Sequence, residues 1–142
     1  MNRLLLSFLL AAAGVPCLAQ STVGDLLDKG GQKLVKADYD ALVPFRVTYV
    51  WPQGGGEGDL IYKPDGTLSG SEYQYSSRSE SPTTGTWTAD EEGKWCLKKY
   101  MTLWNSRTDR CWYTWKLGND FYGSGETDRA ARISKMKSLT KQ

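Results

Sequence analysis

Apolar and polar residues follow three successive rhythms along this chain. The first rhythm is a block: positions 4–13 are apolar apart from Ser7, follow Asn2-Arg3, and give way to Gly14-Val15-Pro16 and then Cys17-Leu18-Ala19. A positive start, a short apolar run and small residues at the last and third-last places are the three parts of a secretory signal peptide. Cleavage is expected after Ala19, which leaves Gln20 first. The run is well short of the ~20 residues that span a bilayer, and no later segment comes nearer, so no transmembrane segment is expected. Lipidation at Cys17 is disfavoured, because Pro16 and Gly14 stand where a small and an aliphatic residue are wanted.

The second rhythm is helical. Thr22 and Asp25 have capping-box spacing ahead of Leu26-Leu27, and Gly30-Gly31 stops that helix. Leu34, Val35, Tyr39, Leu42 and Val43 then recur at helical spacing, which predicts a second helix over 32–42 ended by Pro44. Helices this short cannot bury their apolar faces alone and should pack on the sheet expected downstream of them.

From Phe45 the period becomes two. Strands are expected over 45–51, 59–63, 67–75, 84–89, 94–101, 109–116 and 121–122, with an edge strand over 132–136. Between them lie turn signals such as Gly54-Gly55-Gly56, Pro64-Asp65-Gly66 and Leu117-Gly118-Asn119-Asp120, and a polar loop over 76–83. Gly70 inside a strand marks an expected bulge. Short strands with brief connections describe a mainly β fold, an antiparallel meander forming a curved sheet or small barrel, with the N-terminal helical region packed over an open end or face. The chain divides into a signal peptide (1–19), a helical segment (20–44), a β domain (45–127) and a basic C-terminal segment (128–142).

Removing the signal leaves Cys96 and Cys111, and an even pair in an oxidising compartment reads as a disulfide. Closing a loop of about 15 residues is worth about 3 kcal/mol in the chain-entropy model. If Cys96 lies opposite Cys111, Trp95 lies opposite Trp112. Trp95, Leu97, Trp112 and Thr114 then share one face of the hairpin, and Tyr100, Tyr113 and Trp115 share the other. Both faces are aromatic. One must be core, and the other is covered by the helices or open to a ligand.

Composition then narrows the chemistry. The chain of 142 residues has no histidine, which removes Ser-His-Asp and Cys-His catalysis and the histidine zinc sites. Lys and Arg number 18 against 16 Asp and Glu, for a formal net charge of +2. That balance and an exported location disfavour nucleic acid as a partner. Arg129, Arg132, Lys135, Lys137 and Lys141 make the C-terminal segment basic, read first as a solvated strand and second as a contact for phosphate or anionic lipid. The sequence Gly54-Gly55-Gly56-Glu57-Gly58 lacks the Lys-Ser/Thr and helix of a phosphate loop. Asp90-Glu91-Glu92 lacks the spaced ligands of a calcium loop. No metal site or cofactor is implied. Carboxylates are the surviving route to catalysis, with Glu57 and Asp59, or Glu126 and Asp128, as candidate pairs.

The stretches from Tyr62 through Gly70, Gly85-Thr86-Trp87, Gly93-Lys94-Trp95-Cys96, Cys111-Trp112 and Gly118 to Tyr122 resemble a family of small exported bacterial proteins of uncharacterised function. Leu26-Leu27 and Gly30-Gly31 before Leu34 also fit its N-terminal region. The resemblance implies a periplasmic β domain with a disulfide and carries no catalytic residues. Gly85-Thr86-Trp87 is also similar to a triplet of lipocalin- and avidin-like barrels, where it lies on the first strand rather than mid-chain. Six tryptophans in so small a domain favour binding, through stacking on sugars or anchoring of a protein. The expectation is an exported, non-catalytic domain that binds an envelope protein or glycan through Trp95, Trp112, Tyr113 and Trp115. A carboxylate-based glycan hydrolase and a small-molecule-binding barrel are the alternatives.

Overall fold

The computed structural model describes residues 22–142, so the expected signal peptide, its cleavage point and Cys17 lie outside the described residues. Helix α1 (Val23–Asp28) starts in the expected capping box: the Thr22 hydroxyl accepts from the Asp25 amide at 3.2 Å, and the Asp25 carboxylate accepts from the Thr22 amide at 3.0 Å. Gly30, at φ +86°, takes the left-handed conformation that ends it. Strand β1 (Gln32–Lys33) follows, then helix α2 (Lys36–Leu42). The second helix is thus shorter than its periodicity suggests. Gln32 and Lys33 are drawn off to pair with Lys116 and Trp115, the Leu34 amide donates to the Thr114 carbonyl at 2.8 Å, and helix geometry begins only where Asp38 accepts from the Val35 amide.

The remaining strands are β2 (Phe45–Val50), β3 (Gly56–Tyr62), β4 (Thr67–Gln74), β5 (Ser79–Ala89), β6 (Lys94–Met101), β7 (Ser106–Leu117), β8 (Asp120–Ser124), β9 (Ile133–Lys135) and β10 (Ser138–Lys141). From β2 to β9 each pairs antiparallel with the next, and β10 returns to pair with β2. The sheet is the expected antiparallel meander, curled into a half-barrel. The outermost strands, β9 beside β8 and β10 beside β2, are joined by one stretch of chain that bridges β8 and β2: the Met136 amide donates to the Phe121 carbonyl on β8, and the Lys137 amide to the Thr48 carbonyl on β2, each at 2.9 Å. The basic C-terminal segment therefore contributes β9 and β10 to the sheet.

Two local expectations change. Strand β5 begins at Ser79, so most of the expected polar loop is strand; Pro82 sits in it opposite Ser71, its carbonyl accepting from the Thr102 amide. Gly70 lies in regular register between Leu60 and Thr83 rather than in a bulge. A Cβ there would stand 2.0 Å from the Asp59 carbonyl oxygen, and one at Gly85 would stand 2.1 Å from that of Lys98. These glycines let neighbouring backbones approach closely on the concave side, which is how a sheet bends sharply.

The disulfide Cys96–Cys111 is formed, and the register is the one inferred from it, with Trp95 opposite Trp112 and Lys94 opposite Tyr113. Packing divides between the two sides of the sheet. Inside the curl, Phe45, Val47, Leu60, Tyr62, Leu68, Trp87, Trp95 and Leu97 form the main core. Tyr39 of α2 closes its end against Phe45 and Trp95, with ring centroids 6.2 and 5.8 Å away. Outside, Val23 and Leu26 of α1 cover Trp115 and Tyr122. The two helices thus do separate jobs, one capping an end and the other shielding a face.

Candidate functional site

The four aromatic residues singled out on the hairpin lie on opposite sides of the sheet. Trp95 is fully buried inside the curl, 4.9 Å from the half-buried Trp112. Trp115 is buried outside it under α1, its indole N–H donating to the Ser124 hydroxyl at 2.7 Å. Tyr113 is half-buried on that outer face, with the Lys33 ammonium 5.3 Å from its ring centroid. Both faces of the hairpin are packed, so the open aromatic surface along its strands is limited to parts of Tyr100, Trp112 and Tyr113.

Glu57 and Asp59 share the outer face of β3 and line a shallow polar groove of about 410 Å³ with Thr48, Ser71, Tyr73, Glu80 and Lys137. Glu57 is bound by Lys137 and by the Tyr75 hydroxyl at 3.0 Å, and Asp59 by Arg46 through Nε at 2.6 Å. Hydrogen bonds from Lys137 and from Arg46 hold the two carboxyls below the ordinary carboxylate range. Glycoside hydrolysis needs one carboxyl held protonated at neutral pH, and these two are both pulled the other way. The other pair sits in the β8–β9 connection, where the Glu126 carbonyl accepts from Ser124 and the Asp128 carboxylate from the Ala130 amide. The basic C-terminal side chains are engaged locally too: Arg129 with Asp28, Lys135 with Asp120, Lys137 with Glu57, and Lys141 with the Ala41 carbonyl.

The more unusual constellation lies inside the curl, at the end away from α2. Glu72 is 1 % exposed, yet it sits on β4 in step with the core residue Leu68. Its carboxylate accepts from the Tyr49 hydroxyl, from the Trp51 indole N–H at 2.6 Å, and from the Lys99 ammonium. Lys99, with its side chain 9 % exposed, also donates to the Tyr49 oxygen at 2.7 Å. Burial pushes the Lys99 ammonium below its usual range against the pull of Glu72, and Arg110 adds to the lowering. Burial likewise raises Tyr49, reinforced by the negative charge of Glu72.

Glycines make this cluster fit. A Cβ on Gly58 would overlap the Tyr49 ring, and one on Gly56 would overlap Trp51. The glycine-rich stretch after β2 is therefore a space-maker for two inward-leaning rings. Above the cluster, Trp51 meets Trp104 edge-on, with ring centroids 6.0 Å apart. The β6–β7 turn carrying Trp104 is pinned by the Leu103 amide to the Ser81 hydroxyl at 3.0 Å and by the Trp104 indole to Ser79 at 3.1 Å. Leu103 projects from that turn at 71 % exposure.

No known family, curated protein or solved structure matches the chain. Its function must be read from its own residues.

Proposed function

We propose that the chain is an exported, non-catalytic β domain that binds a protein partner at the bacterial cell envelope through the tip formed by Leu103, Trp104 and Trp51. The observation that carries this reading is Leu103, a large aliphatic side chain held in the open on a turn that hydrogen bonds make rigid. A preorganised apolar residue flanked by aromatics has the character of an interface anchor, because little freedom is lost on docking. Protein is favoured over glycan because the two indoles meet at 88° and offer no flat platform for a sugar ring. The disulfide fits an oxidising compartment, and among the described residues no helix is long and apolar enough to cross a membrane. The expected signal peptide and the resemblance to small exported bacterial proteins support periplasmic or secreted placement after cleavage near Ala19–Gln20.

The test is capture from native envelope extracts with the mature protein and with Leu103→Asp, which leaves the buried clusters untouched. A partner held by the former and released by the latter is expected. Equal capture by both, or hydrolysis of envelope polysaccharide by the pure protein, would overturn the reading. One observation favours a small-molecule carrier instead: the Tyr62 hydroxyl and the Trp95 indole N–H are buried without a hydrogen-bond partner among the described residues. Native mass spectrometry showing a bound polar molecule would move the assignment there.

A further inference from the structure

The half-barrel is open along one side, and the opening has two defined edges. Strand β7 is 12 residues long, and β6 pairs with Ser106–Tyr113 on one side. On the other side β8 pairs only with Tyr113–Leu117. Among the described residues, positions 106–112 therefore carry no strand on that side. Across the opening, β10 covers β2 only from Phe45 to Thr48, so among the described residues Tyr49 and Val50 have no strand paired on that side either. A run of seven strand residues with unpaired backbone groups is a template for another strand.

The charges say what kind of strand. Thr108, Arg110 and Trp112 face into the curl, opposite Lys99, Leu97 and Trp95. Arg110 is exposed, and no hydrogen bond or ion pair engages it among the described residues. It lies near enough to Lys99 and Tyr49 to perturb both electrostatically, while Glu72 is committed to Lys99 and the two rings. On the outer face of the same edge, Arg107 rests on the Tyr100 ring, 5.6 Å from its centroid. A second copy of this edge centred on Arg110 would bring arginine against arginine, so self-pairing in that register is opposed. A carboxylate on the inward face of an added strand would instead meet the Arg110 guanidinium, which is free among the described residues, whereas the outward face presents Arg107 and Asp109 together and favours neither sign.

We propose that the free edge of β7 at 106–112 receives an extended, acidic segment of a partner protein, adding a strand to the open side of the half-barrel with a carboxylate on Arg110. The inference rests on the partner-binding reading above and assigns the partner's conformation and charge. The segment lies immediately beyond the Leu103–Trp104 turn, so one partner can engage both.

The probe is a seven-residue peptide alternating Glu with Val, compared with its Lys-Val counterpart and with an N-methylated Glu-Val version that cannot donate backbone hydrogen bonds. The expected result is slowed amide exchange confined to residues 106–112 and flanking β6 with the Glu-Val peptide, and none with the other two. Arg110→Glu should weaken that binding by about tenfold or more and admit the Lys-Val peptide. Because Arg110 is exposed and makes no hydrogen bond or ion pair among the described residues, this variant is expected to keep the fold. Absence of protection at millimolar Glu-Val peptide, protection elsewhere, or indifference to N-methylation would overturn the proposal. Envelope capture separates the two readings: loss with Leu103→Asp but not with Arg110→Glu leaves the partner and removes the strand, and no capture at all removes both.

Discussion

The two ends of the half-barrel are built from the same strands, on the same inward-facing positions, and are chemically opposite. Toward α2 the inward side chains are Phe45, Val47, Leu60, Tyr62, Leu68, Trp87, Trp95 and Leu97, packed ring on ring. Toward the β6–β7 turn the same strands present Tyr49, Glu72, Thr83 and Lys99, with Trp51 just beyond β2. The first end gains stability by excluding water, less the cost of the unpartnered Tyr62 hydroxyl and Trp95 indole N–H. The second end does so only if every polar atom finds its partner, because an unpaired buried charge costs several kcal/mol. A fold that needed stability alone would have no reason to place a carboxylate and an ammonium in its interior. The polar end is thus where the chain has accepted a cost, next to its open edge and its exposed leucine.

The sharpest way to break that comparison is Lys99→Met. It strands Glu72 in the interior and should cost about 3–5 kcal/mol, read as a fall in the urea midpoint. Adding Glu72→Gln should recover much of that loss, whereas a second substitution in the apolar end would add to it. A double mutant no more stable than the sum of its singles would show that the pair is not coupled. The staple comes next: Cys96→Ser with Cys111→Ser should cost about 3 kcal/mol and lower Tm by about 10 °C. Thiol labelling of the native mature protein should find nothing to react with.

One substitution made at both ends tests the contrast directly. Tyr49→Phe removes a hydrogen bond to the Glu72 carboxylate and should cost about 1.5–3 kcal/mol. Tyr62→Phe removes a hydroxyl that is buried without a partner and should be neutral or stabilise by about 1 kcal/mol. Two values of the same sign would erase the distinction between the ends. The last effect is silent at neutral pH. Burial pushes the Tyr39 hydroxyl up to about 12, while an unfolded tyrosine ionises near 10. Its folded value is raised, so its contribution is complete below 10 and is lost as pH rises from there toward 12, at up to about 1.4 kcal/mol per unit. Tyr39→Phe should flatten that part of a stability-against-pH curve.

Much of the fold is legible in alternation, because a sheet with one buried side writes its face into every second residue. The cysteines add a register that alternation alone does not supply. Gln32 and Lys33 read as helix because a two-residue pairing leaves no periodic trace, and the demand of β7 for a neighbour is a tertiary matter. The hairpin aromatics look like an exposed face because nothing in 94–116 says that α1 will lie over Trp115. The polar cluster leaves a trace that is easy to pass over: Glu72 and Lys99 sit in step with Leu68 and Leu97, so each is a charge on the core side of its strand. Read singly, each is a local exception. Only the curl brings residues 27 positions apart together and turns two exceptions into one ion pair.

The bridge between β2 and β8 has a temporal side. Strand β2 takes β3 as a neighbour almost at once, but its other edge is matched by Ser138–Lys141, some 90 positions further along, as the contact of Thr48 with Ser138 measures. In a chain that emerges from its amino end, that edge stays bare while the whole meander is laid down beside it. Closure is then the most non-local event in the fold, and non-local pairings come slowly. During that interval the edge of β2 stands bare along its whole length beside that of β7, and the arrival of β10 leaves only its Tyr49–Val50 end uncovered.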